Sequence, residues 1–221
     1  MYMKKYLSLL AFIAIPLFVF AQASGGQITR RTVSKTQTTK RNQIKRKEPE
    51  DQSVPKPTLN ENYFESEIQK YKDYFANNPE AKIEDYEEFA GVYAKWADEA
   101  YGAKKKELFK KAAEVYSMIG EKFPDNYVKA YAAYKRAELI NKTDKDMQGR
   151  LAKADYQQVV DLLGNKVDRS KSENTLLKYS LHYLMFSSYL DKNIQLAKDY
   201  ARKILTIDSE YSPAINILNL K

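Results

Sequence analysis

Apolar residues recur every three or four positions from about residue 60 onward. Phe64, Ile68, Tyr71 and Phe75 are separated by four, three and four positions, which places them on one face of a helix. The same periodicity predicts eight amphipathic helices, at Glu61–Asn77, Glu84–Tyr101, Lys104–Lys122, Val128–Asn141, Leu151–Leu163, Thr175–Leu190, Ile194–Ile207 and Pro213–Leu220. The fold class predicted by this pattern is all-α.

Helix-breaking residues lie between these segments. Pro79 follows the first helix, and Gly102 is predicted to end the second. A polar turn is predicted at residues 142–146. Ser212 is predicted to cap the last helix, with Pro213 in its first turn, where the missing N–H costs nothing.

Three of the predicted helices share an internal pattern: a small residue, then Tyr or Ala four positions later, then Ile or Val three positions after that. The triplets are Ala112/Tyr116/Ile119, Ala152/Tyr156/Val159 and Ala197/Ala201/Ile204. This spacing keeps each triplet on one stripe, and the leading alanine lets a neighbouring helix approach closely. Because a helix pair cannot bury both of its apolar stripes alone, consecutive pairs are expected to stack as a solenoid.

With these residues the chain resembles tetratricopeptide-repeat proteins over residues 83–209. The matching positions are Tyr86, Phe89, Ala90, Tyr93, Ala112, Tyr116 and Pro124 in the first pair, Ala133, Ala137, Ala152 and Tyr156 in the second, and Leu181, Leu184 and Ala197 in the third. The segment EKFPDNYVKAYAAYKRAEL is similar to repeats in exported envelope proteins of Gram-negative bacteria. The resemblance implies a right-handed α-α superhelix of about three helix pairs with flanking helices.

The chain also departs from the family pattern. The leading alanines of the triplets lie 40 and 45 positions apart, whereas the family repeat has about 34 residues. Extra residues are predicted between the paired helices, around Lys104–Lys106 in the first pair and Thr143–Gln148 in the second. Met185 stands at a small-residue position of the family, and Ser209 replaces the closing proline. A plain helical bundle is the alternative architecture.

Residues 1–21 have the pattern of a secretory signal peptide, with two lysines before the apolar run 7–20. Cleavage is expected after Ala21 or Ala23, leaving a periplasmic or secreted protein with no transmembrane span. The alternative is a membrane anchor, but this apolar run is interrupted by Pro16 and is shorter than the roughly 20 residues needed to cross a bilayer.

Residues 22–59 precede the helical domain, which is predicted at residues 60–221. They are rich in Lys, Arg and Thr and poor in large apolar residues, so we expect a disordered linker or arm. One interpretation is that residues 28–47 bind an anionic surface, such as lipid headgroups or acidic polysaccharide, by counterion release. The other is a solvated spacer, which the lack of interleaved aromatic residues favours; nucleic acid is not an expected partner.

The residue types present exclude much of enzyme chemistry. The chain has no cysteine and a single histidine, His182. Disulfides, thiolate metal sites, cysteine nucleophiles and multi-histidine metal sites are therefore excluded. We expect no catalytic site, no cofactor and no metal site, and we expect His182 to be a packed or surface residue.

The family resemblance implies that the first helix of each pair lines a concave groove. The residues expected to meet a partner there are Tyr131, Tyr134, Glu138, Tyr179, His182 and Phe186. Tyrosine suits such a role because its ring provides contact area at low entropic cost and its hydroxyl provides direction. The alternative is that these aromatic residues fill space between helices.

The function expected from this reasoning is that of a non-enzymatic adaptor or scaffold. Its partner would be a peptide or protein of the cell envelope. The alternative is a protein that attaches to the envelope surface through its basic N-terminal arm, which binds anionic lipid or polysaccharide.

Overall fold

The computed structural model describes residues 61–220. This part of the chain forms eight α-helices and one short 3-10 helix, which confirms the predicted all-α class. The helices are α1 (Glu61–Asn77), α2 (Ile83–Glu99), α3 (Gly102–Lys122), α4 (Asn126–Asn141), α5 (Lys153–Leu163), α6 (Lys171–Leu190), α7 (Ile194–Leu205) and α8 (Ser212–Leu218), with the 3-10 turn at Lys145–Met147 between α4 and α5. The predicted signal peptide and basic arm lie outside the described residues.

Each helix packs mainly against its neighbours in sequence, and α4 also contacts α6. Short connections hold consecutive helices side by side, so that the apolar stripe of each helix is covered by the next helix along the chain. The expectation that consecutive helices shield one another is therefore confirmed for the described residues.

The core consists of two clusters that meet at α4. One cluster is built from α1, α2, α3 and α4, and the other from α4 through α8. Helix α4 contributes to both because alanines lie on several of its sides: Ala132 belongs to the first cluster, whereas Ala130, Ala133 and Ala137 belong to the second. A helix with so many small side chains can be covered on two faces at once.

The repeated triplets lie in these clusters. All members of the second and third triplets are buried, and so are Ala112 and Ile119 of the first. Tyr116 is the exception: it is only partly buried, while the adjacent Val115 is 3% exposed. The inward stripe of α3 therefore passes through Val115, and the Tyr116 ring lies at its edge.

The second helix ends at Glu99, and Gly102 does not terminate it as predicted. Gly102 is instead the first residue of α3, where its φ of 57° lies in the left-handed region that glycine tolerates. The extra residues of the first pair, including Lys104–Lys106, therefore lengthen α3 and do not lie between the helices. In the second pair the extra residues do lie in the connection, as predicted.

The starts of α6 and α8 also differ from the prediction. Helix α6 begins at Lys171, four residues before the predicted start, because Ser170 and Glu173 form a capping box. The Ser170 hydroxyl accepts a bond from the Glu173 N–H at 3.2 Å, and the Glu173 carboxylate accepts one from the Ser170 N–H at 2.7 Å. Ser212 does not cap α8; it is the first helical residue, and the helix has no side-chain cap.

Candidate partner-binding face

The six residues predicted to meet a partner lie on two helices that contact each other, α4 and α6. Tyr131, Tyr134 and Glu138 on α4 have the same spacing as Tyr179, His182 and Phe186 on α6, namely three and then four positions. This spacing places each set on one stripe of its helix. All six side chains are partly buried, and we call them together the tyrosine face.

Tyr131 joins three helices at one end of this face. Its hydroxyl donates a hydrogen bond to the carboxylate of Glu87 on α2. Its ring packs edge-to-face against Tyr116 of α3 and stacks on Tyr127 of α4, each with 6.4 Å between ring centroids. Burial raises the pKa of the Tyr131 hydroxyl, and the bond to Glu87 raises it further, so this phenol is a proton donor at any physiological pH.

Tyr134 and Glu138 lie in the middle of the tyrosine face. The Tyr134 ring packs edge-to-face against Tyr156 of α5 at 5.8 Å. The Glu138 carboxylate forms an ion pair with Lys135 at 3.2 Å. Burial raises the pKa of Tyr134, and the charges of Glu138, Tyr156 and Tyr179 add to the effect. Helices α4 and α6 contact each other directly.

His182 lies on α6 among aromatic rings. Its Nδ1 is 2.9 Å from the Tyr211 hydroxyl oxygen. Its ring centroid lies 4.8 Å from that of Phe186 and 5.5 Å from that of Tyr211. Burial lowers the pKa of His182 to about 4, so the imidazole is neutral at neutral pH. The described contacts of His182 are thus those of a packed residue.

Near His182 on α6, the ammonium group of Lys178 contacts two tyrosine rings and one carboxylate. The Lys178 ammonium lies 3.0 Å from a carboxylate oxygen of Asp208 and 5.2 Å from the ring centroids of both Tyr179 and Tyr211. The partners Asp208 and Tyr211 follow α7, in the connection to α8. Helical periodicity gives no signal for residues in a connection, so the sequence did not predict this arrangement.

Two open depressions lie between helices of the described residues. One, of about 330 Å³, is lined by residues of α3, α4 and α5, including Tyr116, Arg136 and Gln158. In it, Arg136 forms an ion pair with the buried carboxylate of Asp155 and donates to the Ser117 hydroxyl at 3.0 Å. The other, of about 260 Å³, lies between α5, α6 and α7. Neither is lined by any of the six predicted residues.

Within residues 61–220, no group of three or more metal-ligating side chains is placed to hold a metal ion. None of the helices in this part of the chain combines the length and apolar character that a bilayer-spanning segment needs.

Neither a protein-family model, nor a curated protein, nor a solved structure matches the chain.

Proposed function

We propose that this protein is a non-enzymatic adaptor or scaffold of the cell envelope, exported to the periplasm or secreted. In this proposal the pairs α2–α3, α4–α5 and α6–α7 are tetratricopeptide-like hairpins of a right-handed superhelix. The tyrosine face then lines a concave groove that binds a peptide or protein segment.

The packing of the helices supports the architecture. Consecutive helices contact each other in chain order, as a solenoid requires. The alanines that lead the three triplets, Ala112, Ala152 and Ala197, are completely buried. Small residues at these positions allow the close helix approach that stacked hairpins need.

The observation that carries the proposal is the state of the six residues of the tyrosine face. They form matching stripes on two helices that contact each other, and each side chain is partly buried. Rings such as Tyr131 and Tyr134 are held by contacts with α2, α3 and α5. Because these rings are already fixed, a partner that binds them pays little for ordering side chains.

Site-specific photo-crosslinking tests this proposal. A photoreactive amino acid is introduced at Tyr179 or Phe186, and for comparison at Met118, which is 42% exposed on α3. Irradiation of intact envelopes should give a discrete crosslinked product from the α6 positions and none from Met118. Equal products from Met118 would contradict the proposed surface.

A second experiment measures what the rings contribute. Replacement of Tyr134, Tyr179 and Phe186 together by alanine should weaken capture of the crosslinked partner by at least about tenfold, since aromatic anchors dominate binding energy. The double variant Tyr134→Phe/Tyr179→Phe keeps the rings and should retain most of the capture. Circular dichroism confirms that each variant is folded before binding is compared.

A further inference from the structure

The Lys178 site shows which chemical group this surface accommodates. The Lys178 ammonium lies 5.2 Å from the ring centroids of both Tyr179 and Tyr211 and forms an ion pair with the carboxylate of Asp208. The side chains of Lys178 and Asp208 are 21% and 35% exposed, so the charge pair is partly shielded from water. Two phenol rings and one carboxylate attract a cation through the ring quadrupoles and through charge.

The same three components lie on the α4 side of the tyrosine face. Glu87 of α2 is partly buried and accepts the hydrogen bond of the Tyr131 hydroxyl. The Tyr131 ring adjoins that of Tyr116 at 6.4 Å. Burial raises the pKa of Tyr116, and the charge of Glu87 raises it further. Glu87 is joined to this pair of rings through the hydrogen bond that it accepts from Tyr131.

This second region differs from the first because its carboxylate forms no ion pair with a lysine, arginine or histidine of residues 61–220. Among the described residues, no cationic nitrogen lies within 4.0 Å of the Glu87 carboxylate. Its partner, the Tyr131 hydroxyl, is a neutral donor. A carboxylate that is partly removed from water and lacks a counter-charge gains from a cation brought by another molecule.

The neighbouring charges preserve this preference for a cation. Lys135 lies 6.0 Å from the Tyr131 ring centroid, but its ammonium is paired with Glu138 at 3.2 Å. Glu87 and Glu138 are thus two carboxylates against one ammonium in this part of the face. An acidic segment would be repelled here, whereas a basic one would be attracted.

We propose that the partner of the tyrosine face places a lysine or arginine side chain against the ring of Tyr131, where it pairs with Glu87. This inference rests on the proposed adaptor function and specifies the chemistry of the segment that the face binds. The Lys178 ammonium, held by Tyr179, Tyr211 and Asp208, is the internal counterpart of the incoming cation.

The test uses the purified full chain and a fluorescent peptide with regularly spaced lysines. The probe is compared with the same peptide after acetylation of its lysines and with a version that carries glutamate at those positions. Glu87→Gln should weaken binding of the lysine peptide by about tenfold, because it removes the charge and keeps the size. Glu114→Gln, which alters an exposed carboxylate on α3, should leave binding unchanged.

Three results would overturn the inference: equal binding of the acetylated peptide, tighter binding of the glutamate peptide, or wild-type binding by Glu87→Gln. If Glu87→Gln does not fold, Tyr131→Phe replaces it. That variant keeps the ring and frees the carboxylate, so it should bind the lysine peptide at least as tightly as the wild type; weaker binding also refutes the inference. The adaptor proposal is tested separately: it remains supported if photo-crosslinking from Tyr179 persists, even when the peptides and the Glu87 variant show no effect of charge.

Discussion

Replacement of Tyr156 by alanine removes a ring from the contact of α5 with α4 and α6. Tyr156 is 6% exposed, and its ring centroid lies 4.4 Å from that of Tyr183 and 5.8 Å from that of Tyr134. Three rings from three helices meet at this point. The variant therefore opens a cavity where consecutive helix pairs join.

The expected cost follows from this burial. Deleting a buried aromatic side chain costs about 3–5 kcal/mol, because lost transfer energy and an unfilled cavity add. We expect a loss of about 4 kcal/mol in the free energy of unfolding for Tyr156→Ala, which lowers Tm by roughly 8–16 °C in a chain of this size. Tyr116 occupies the corresponding position of the first triplet but is only partly buried, so Tyr116→Ala should cost about half as much.

Urea unfolding followed by far-UV circular dichroism measures these losses. The matched control is Tyr156→Phe, which keeps the ring in place and should cost less than about 1.5 kcal/mol. A loss below about 1 kcal/mol for Tyr156→Ala would refute the packing described for the α4, α5 and α6 contact.

Three further predictions concern stability. Ala201 is completely buried in α7, so Ala201→Leu should cost about 1–3 kcal/mol through overpacking, whereas Ala154→Leu on the exposed side of α5 should change little; thermal unfolding compares the two. His182 has a pKa of about 4 in the folded chain, below its ordinary value of about 6.5, so its protonation favours the unfolded state. The contribution of neutral His182 to the free energy of unfolding is therefore fully present above about pH 6.5, and up to about 3 kcal/mol is lost as the pH is lowered toward 4. His182→Gln should flatten the dependence of the urea midpoint on pH in this range. A Cβ added at Gly91 or at Gly102 would meet no atom within 4 Å, yet alanine should change the free energy of unfolding in opposite directions at the two positions. Gly91→Ala, in the interior of α2, should stabilise the fold by about 0.5–1 kcal/mol. Gly102→Ala should destabilise it by about 1 kcal/mol, because Gly102 has a positive φ.

The helices were predictable where their periodicity and their end signals agree. For α1 the apolar spacing and the Asn–Asn–Pro terminator gave both ends correctly. Gly102 misled the prediction because glycine after a helix usually ends it, and here the next helix begins at that same residue. The start of α6 was readable from Ser170 and Glu173, since Ser-x-x-Glu is the pattern of a capping box.

The connection between α4 and α5 could not be derived from sequence in the same way. Asp144 accepts hydrogen bonds from the N–H groups of Gly149 at 2.7 Å and Leu151 at 3.1 Å. These bonds help to hold a segment in which Asp146, Met147 and Arg150 all have positive φ. Non-glycine residues rarely adopt this conformation, and only the folded surroundings select it here.

The tyrosine face was predicted in part for a related reason. Spacing along α4 and α6 places the three residues of each helix on one stripe. The family resemblance selected these six residues, and their role in binding stays a prediction. Spacing does not identify partners from other elements. Glu87 lies 44 positions from Tyr131, and Tyr211 lies 29 from His182, so these contacts depend on how the helices pack.

Hydrogen–deuterium exchange of the full chain, with and without the crosslinked partner, tests the central claim most directly. The account predicts that binding slows exchange in the segments of α2, α4 and α6 that contain Glu87 and the tyrosine face. Slowing confined to α3, α5 and α7, with α4 and α6 unchanged, would contradict it.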